Sequence, residues 1–107
     1  MANYNTILNT TFVIHSSIEA EFIAWLRSSY IPAATQAGVF GAPSIARVLT
    51  RIEPDTESIA VQLPATSLAE AQQWHDSVAD ELRNKAHARW SNSMMFFSTY
   101  MELIDGI

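Results

Sequence analysis

The sequence predicts an α+β fold in which a four-stranded antiparallel sheet carries two helices on one face, and three observations predict it. Strand-forming and amphipathic runs alternate in the order strand, helix, strand, strand, helix, strand. Each helical run opens on the Ser-x-x-Glu spacing of a capping box, Ser16 to Glu19 and Ser67 to Glu70. The 107 residues, 49% of them hydrophobic, supply one core and are too few for a second, so residues 1–107 are expected to form a single domain.

Tyr4 to His15 is rich in Thr, Ile, Val, Phe and Tyr without Gly or Pro, the composition of a long strand. Ile18, Phe22, Trp25, Leu26 and Ser29 then fall on one helical stripe. Pro32 lacks an N–H and disfavours helical geometry at Ile31, which predicts a break or kink, then a short turn through Ala33, Ala34 and Ala37 closed by Gly38. After Gly41-Ala42-Pro43, Ser44 to Ile52 reads as a second strand, with Ala46, Val48, Thr50 and Ile52 on one face and Ile45, Arg47, Leu49 and Arg51 on the other. A polar turn over Glu53 to Glu57 leads into a third strand, Ser58 to Leu63, ended by Pro64. Ala71, Trp74, Val78 and Leu82 mark the buried stripe of a second helix reaching Trp90, its acids preceding its bases as the helix dipole favours. Met94 to Ile104 closes the chain as a last strand. This is the split βαβ, or ferredoxin-like, order: βαββαβ with both helices on one face of the sheet.

Charge and composition exclude several functions. Six Lys and Arg against eleven Asp and Glu give a formal charge of -5, which repels phosphate backbones and anionic lipid, so neither nucleic acid nor membrane is an expected partner. The chain has no cysteine, which removes disulfides, thiolate nucleophiles and cysteine metal sites and fits a reducing compartment. The N-terminus lacks a signal-peptide pattern and no apolar run approaches about 18 residues, so a cytoplasmic location is expected. With three glycines there is no phosphate-binding loop, and there is no G-x-S-x-G elbow, so no nucleotide cofactor is expected and no nucleophile has an evident activator. His15, His75 and His87 are the candidate bases or ligands. The last two lie about 18 Å apart along a straight helix, too far to share a metal, and no metal site is expected.

Only 16% of residues are charged, against about 25% in an average globular protein, which points to self-association. Assigning the more apolar rows, Ala46/Val48/Ile52, Ile59/Val61/Leu63 and Met95/Phe97/Met101/Leu103, to the helix side leaves Ile45, Leu49, Phe96 and Tyr100 on the open face. Arg47, Arg51 and Glu102 accompany them and are expected to pair between subunits. A second copy of the same sheet is the simplest cover, giving a homodimer of the dimeric α+β barrel type. Trp25, Trp74 and Trp90, with Tyr30 near the Pro32 break, are the candidate lining of a pocket for a small apolar or flat ligand.

Trp25-Leu26-Arg27-Ser28-Ser29-Tyr30-Ile31-Pro32 followed by Ala37-Gly38-Val39-Phe40 resembles the signature of small bacterial proteins grouped as domain of unknown function 4286. Ala60-Val61-Gln62, Trp74, and Phe97-Ser98-Thr99 before Glu102-Leu103 match later landmarks, so the likeness spans most of the chain. The resemblance implies a ferredoxin-like fold, of the dimeric α+β barrel type, without an established activity. Where that family has a histidine before Ile-Pro, this chain has Tyr30. Two functions therefore stand, neither with an expected cofactor: a noncatalytic homodimeric module binding a small apolar ligand or a protein partner, and a cofactor-free oxygenase-like or related small enzyme of the same architecture with no catalytic residue assigned. A cavity with convergent polar groups separates them.

Overall fold

The computed structural model describes residues 3–51 and 53–105. Its four strands, β1 (Thr6–His15), β2 (Ser44–Val48), β3 (Thr56–Ala65) and β4 (Met94–Glu102), form one antiparallel sheet in the order β2-β3-β1-β4. β1 sits at the centre because its alternation is complete: Leu8, Thr10, Phe12 and Ile14 are buried in succession on one face. Opposite them across the two ladders stand Leu63, Val61, Ile59 and Glu57 of β3 and Tyr100, Ser98, Phe96 and Met94 of β4. These rows share the side covered by the helices. The ferredoxin-like order expected from the sequence is the one observed.

Each crossover is one continuous helical stretch containing a π-helical turn. The first comprises a 3₁₀ turn (Ser16–Ile18), α1 (Glu19–Trp25), a π turn (Leu26–Tyr30) and α2 (Ile31–Ala37). The second comprises α3 (Leu68–Trp74), a π turn (His75–Ala79) and α4 (Asp80–Trp90). An ordinary helix drifts about 40° for every four residues, so a stripe spaced by fours soon leaves the sheet. The wider π turn absorbs that drift, and Phe22, Leu26, Tyr30 and Ala34 all stay buried. In the second stretch the same device turns Ala79 and Arg83 inward, where a regular stripe predicts Val78 and Leu82.

Pro32 does not break the helix. Ile31 donates its N–H to the Leu26 carbonyl across the π turn, and Pro32 follows at the junction with α2, where the wider turn gives its ring room. Gly38, at φ 74°, ends α2 in the left-handed region as expected of a glycine there. Ser67 accepts from the Glu70 N–H, as the capping-box spacing predicts, but the first helix is capped by the His15 ring, which accepts from the Ser17 N–H.

β3 also runs through Pro64. That residue's carbonyl accepts from Gly41 at 2.7 Å, on the side where β2 has already ended, so the absent N–H interrupts no ladder with β1. β2 is shorter than the sequence suggests, ending at Val48, and Ile52 lies outside the described residues.

The register corrects two of the face assignments. Ile45 and Arg47 of β2, and Phe96, Tyr100 and Glu102 of β4, belong to the rows on the helix side. Ala46 and Val48, with Met95, Phe97 and Met101, belong to the open face. Leu49 and Arg51 lie beyond the end of β2. Arg47 and Arg51 have partners within their own chain. Arg47 binds Glu19 and lies 3.7 Å from Glu57, and Arg51 binds Glu57, an ion-pair group joining α1, β2 and β3.

Candidate functional site

Tyr30, Trp74 and Trp90 are buried and Trp25 is half-buried. The structure brings all four into one aromatic cluster with Phe12 and Phe22. Trp25 lies 5.8 Å from Tyr30 and 5.9 Å from Trp90 between ring centroids, and Tyr30 lies 5.5 Å from Trp74 in an edge-on contact. These rings fill the helix-to-sheet gap with one another, so much of the pocket lining expected from the sequence is core. Polar groups among and beside them give the site its chemistry.

Thr10 at the centre of β1 is buried, and its Oγ1 lies 2.9 Å from Ser98 Oγ on β4. Ser98 Oγ in turn lies 2.8 Å from His75 Nε2, and His75 Nδ1 lies 2.8 Å from Asp76 Oδ1. The second π turn opens at His75, which is how the imidazole reaches across to β4. Tyr100 packs edge-on to the same ring at 5.8 Å. The chain of groups therefore runs from a buried hydroxyl on β1 to a carboxylate that is 74% exposed.

Arg83 lies beside this file with 4% of its side chain exposed. One Nη donates to the His75 carbonyl at 2.9 Å, the guanidinium sits 4.5 Å above the Phe96 ring, and the carboxylate of Asp80 approaches only to 3.7 Å. Its Nε and other Nη have no hydrogen-bond partner, and neither do the Tyr30 hydroxyl and the Trp74 indole N–H. Native interiors pair nearly all such groups, so the free N–H groups of Arg83 keep the capacity to bind an acceptor. A cleft of about 460 Å³ opens between α4 and the start of β4, with Arg83, Asp80, His87, Met94 and Phe96 in its walls.

Burial raises the Tyr30 pKa above its ordinary value, the nearby Thr10 hydroxyl and Arg83 charge opposing it only in part. Burial raises Tyr100 as well, helped by the negative charge of Asp76. A tyrosine whose folded pKa is raised stabilises the fold fully below its unfolded pKa of about 10 and loses that contribution as pH climbs through the folded value. Tyr30→Phe removes an unpaired buried hydroxyl together with its titration. We expect it to raise the unfolding free energy by about 1 kcal/mol at neutral pH and to flatten the decline in stability above about pH 10. Urea unfolding at several pH values checks this, and a neutral-pH loss beyond about 1 kcal/mol would show that the hydroxyl is paired.

Of the three histidines, His75 joins the hydroxyl file, His87 borders the cleft and His15 caps a helix. Among the described residues no group of three or more His, Cys, Asp or Glu is placed to hold a metal ion, and no helix is long and apolar enough to cross a membrane. Sequence reasoning missed Arg83, Ser98 and Thr10. Thr10 carries no motif, Ser98 falls in the Phe97-Ser98-Thr99 landmark with no role attached to it, and Arg83 was one of the bases of the second helix, one position past the predicted stripe.

The family model described as domain of unknown function (DUF4286) matches residues 5–104. No curated protein matches the sequence. Among solved structures, the chain resembles a monooxygenase from the gene ActVA-Orf6 of Streptomyces coelicolor in complex with nanaomycin D, with TM-score 0.69 and 8% identity over 97% of this chain and 91% of that one. It also resembles a dimeric ferredoxin-like protein from an uncultured marine organism, with TM-score 0.66 and 9% identity over 96% and 99%. A third neighbour is a Bacillus cereus protein provisionally named an antibiotic biosynthesis monooxygenase, with TM-score 0.65 and 12% identity over 98% of each chain. At these identities the likeness shows the ferredoxin-like fold.

Proposed function

The chain belongs to the DUF4286 family of domains of unknown function, and we propose from its geometry that it is a homodimeric cytoplasmic module that binds a small, flat, largely apolar molecule through an oxygen acceptor. The observation that carries the ligand site is the buried Arg83 guanidinium, whose Nε and one Nη have no partner, in the wall of a cleft shared with Phe96 and Met94. Donors without acceptors select a carbonyl or anionic oxygen, and the apolar walls select the body that carries it. Trp25 and Trp90 support the site as the packed aromatic wall behind Tyr30.

The dimer reading rests on the open face, where Met95, Phe97 and Met101 stand exposed in one row with Val48 at the far edge of the sheet. Leu49, 86% exposed just past β2, sits at the margin of that surface. A neighbouring fold described as dimeric supports the same assembly.

The probe for the ligand site is 2-naphthoate, a flat apolar ring system with one carboxylate. It is expected to quench the tryptophan fluorescence saturably, and Arg83→Met is expected to weaken its binding at least about tenfold, the loss of one charge-assisted hydrogen bond. No saturable quenching, or equal quenching in the variant, would overturn the site. A second reading, an oxygenase-like enzyme acting on an electron-rich substrate, is favoured by the His75–Ser98–Thr10 file, which a passive binding site does not need. Oxygen uptake dependent on an added phenol and lost in Arg83→Met would decide for it.

A further inference from the structure

Two hollows meet at the start of β4. The Arg83 cleft lies on the helix side, with Met94, Met95 and Phe96 in its wall. On the open face a groove of about 540 Å³ runs over the end of β1 and the starts of β3 and β4, lined by Val13, Ser58, Met94, Met95 and Phe97 among others. Met94 and Met95 therefore line both. Strand alternation accounts for this, since Met94 is buried on the helix side while Met95 stands on the open face, 61% exposed, in the row of Phe97 and Met101. β4 is an edge of the sheet. An unbranched methionine with three rotatable bonds reaches round such an edge from either face.

Resting on the ligand-site and dimer readings above, we infer that a second copy of this chain completes the ligand site: by covering the open face it fixes Met95 against the cleft, so ligand binding and dimer formation strengthen one another. In an isolated subunit the Met95 side chain lies largely in water and has several rotamers open to it. Ordering such a side chain opposes binding. In the dimer the partner already holds Met95, because it covers Phe97 and Met101 of the same row, and the ligand meets a finished apolar wall. Coupling requires a contact that differs between the two states, and Met95 supplies it, touched by the ligand on one side and by the partner on the other. The open-face row of β4, Met95, Phe97, Thr99 and Met101, carries no charge, so a two-fold copy sets apolar row against apolar row without burying an ion. Arg83 lies on the helix side and supplies the polar contact in monomer and dimer alike.

The test titrates 2-naphthoate, by tryptophan quenching, into native protein at concentrations above and below the dimer dissociation constant, which sedimentation velocity supplies. The dimer is expected to bind the probe about tenfold more tightly than the monomer. By reciprocity, saturating probe should lower the dimer dissociation constant about a hundredfold, tenfold for each of two sites. Phe97→Glu, which alters the groove side of β4, is expected to bind with the monomer's weaker affinity at every concentration. Met101→Glu, further along the strand, should do the same, and circular dichroism shows which variants are folded before affinities are compared. Equal affinity in the native dimer and the monomeric variants, or a dimer constant unmoved by the probe, would overturn the inference and leave both the cleft and the dimer standing. A native dimer that binds no 2-naphthoate refutes it through the ligand site. A native chain that stays an 11.9 kDa particle with and without the probe refutes it through the dimer.

Discussion

Phe97→Glu is expected to convert the protein from dimer to monomer in sedimentation velocity at micromolar concentration, without unfolding it. Phe97 stands on the open face with 52% of its surface exposed, between Met95 and Met101 of the same row, so the isolated subunit loses little when it is replaced. The assembled dimer loses more. Each copy forfeits the burial of an aromatic ring and sets a carboxylate against apolar surface, about 2–3 kcal/mol together. A two-fold interface uses the patch twice, so about 4–6 kcal/mol are lost per dimer, roughly a thousandfold or more in the dissociation constant. A native protein sedimenting as an 11.9 kDa particle, or a variant as dimeric as the native chain, would exclude the open face as the interface. Reversing the charges of Arg47 and Arg51 is a contrasting experiment. Those side chains pair with Glu19 and Glu57 of their own chain, so the dimer constant should change far less than it does for Phe97→Glu.

The inverted rows of β2 and β4 show how far the fold was legible in the sequence. Order, strand spacing and both helix starts follow from local chemistry, and local chemistry is what a single sequence displays. Which face of an edge strand turns inward is decided elsewhere. Ranking rows by hydrophobicity put Met95, Phe97 and Met101 inside, yet the inward row of β4 contains Ser98, which bonds His75, and Tyr100, which packs on the same ring. The greasier row faces outward, where a second subunit could cover it. Hydrophobicity alone does not decide which row of an edge strand turns inward.

The hidden site has a comparable cause. A 3.6-residue stripe through Ala71 and Trp74 predicts Val78 and Leu82 inside, but the π turn beginning at His75 advances the buried set by one residue, to Ala79 and Arg83. The first helical stretch does the same, moving the buried position from Ser29 to Tyr30. Two of the residues with unpaired donors thus sit where a regular helix would have placed their neighbours. No propensity marks a π turn in advance, and Pro32, which the first one accommodates, reads in sequence as a stop.

Arg83→Met is expected to raise the unfolding free energy by about 1–3 kcal/mol while weakening 2-naphthoate binding at least about tenfold. Holding a guanidinium at 4% exposure forfeits most of its hydration. The return is one hydrogen bond to the His75 carbonyl, a ring contact with Phe96 and a distant Asp80 that is itself 57% exposed. Two of its nitrogens receive nothing. Replacing such a partly compensated buried charge by an apolar side chain of similar length is often neutral or stabilising by about 1–4 kcal/mol. Methionine keeps the contact with Phe96 and relieves the unpaired donors. The His75 carbonyl loses its partner, which offsets about 1 kcal/mol of the gain. Urea unfolding measures the balance, in the absence of any ligand. A loss of 2 kcal/mol or more, by the same reasoning about broken buried pairs, would mean that Arg83 is held by the fold for structural reasons and that its free N–H groups await no ligand. A gain accompanied by weakened binding would identify a residue kept at a cost in stability for the molecule it recognises, the trade expected at a functional site.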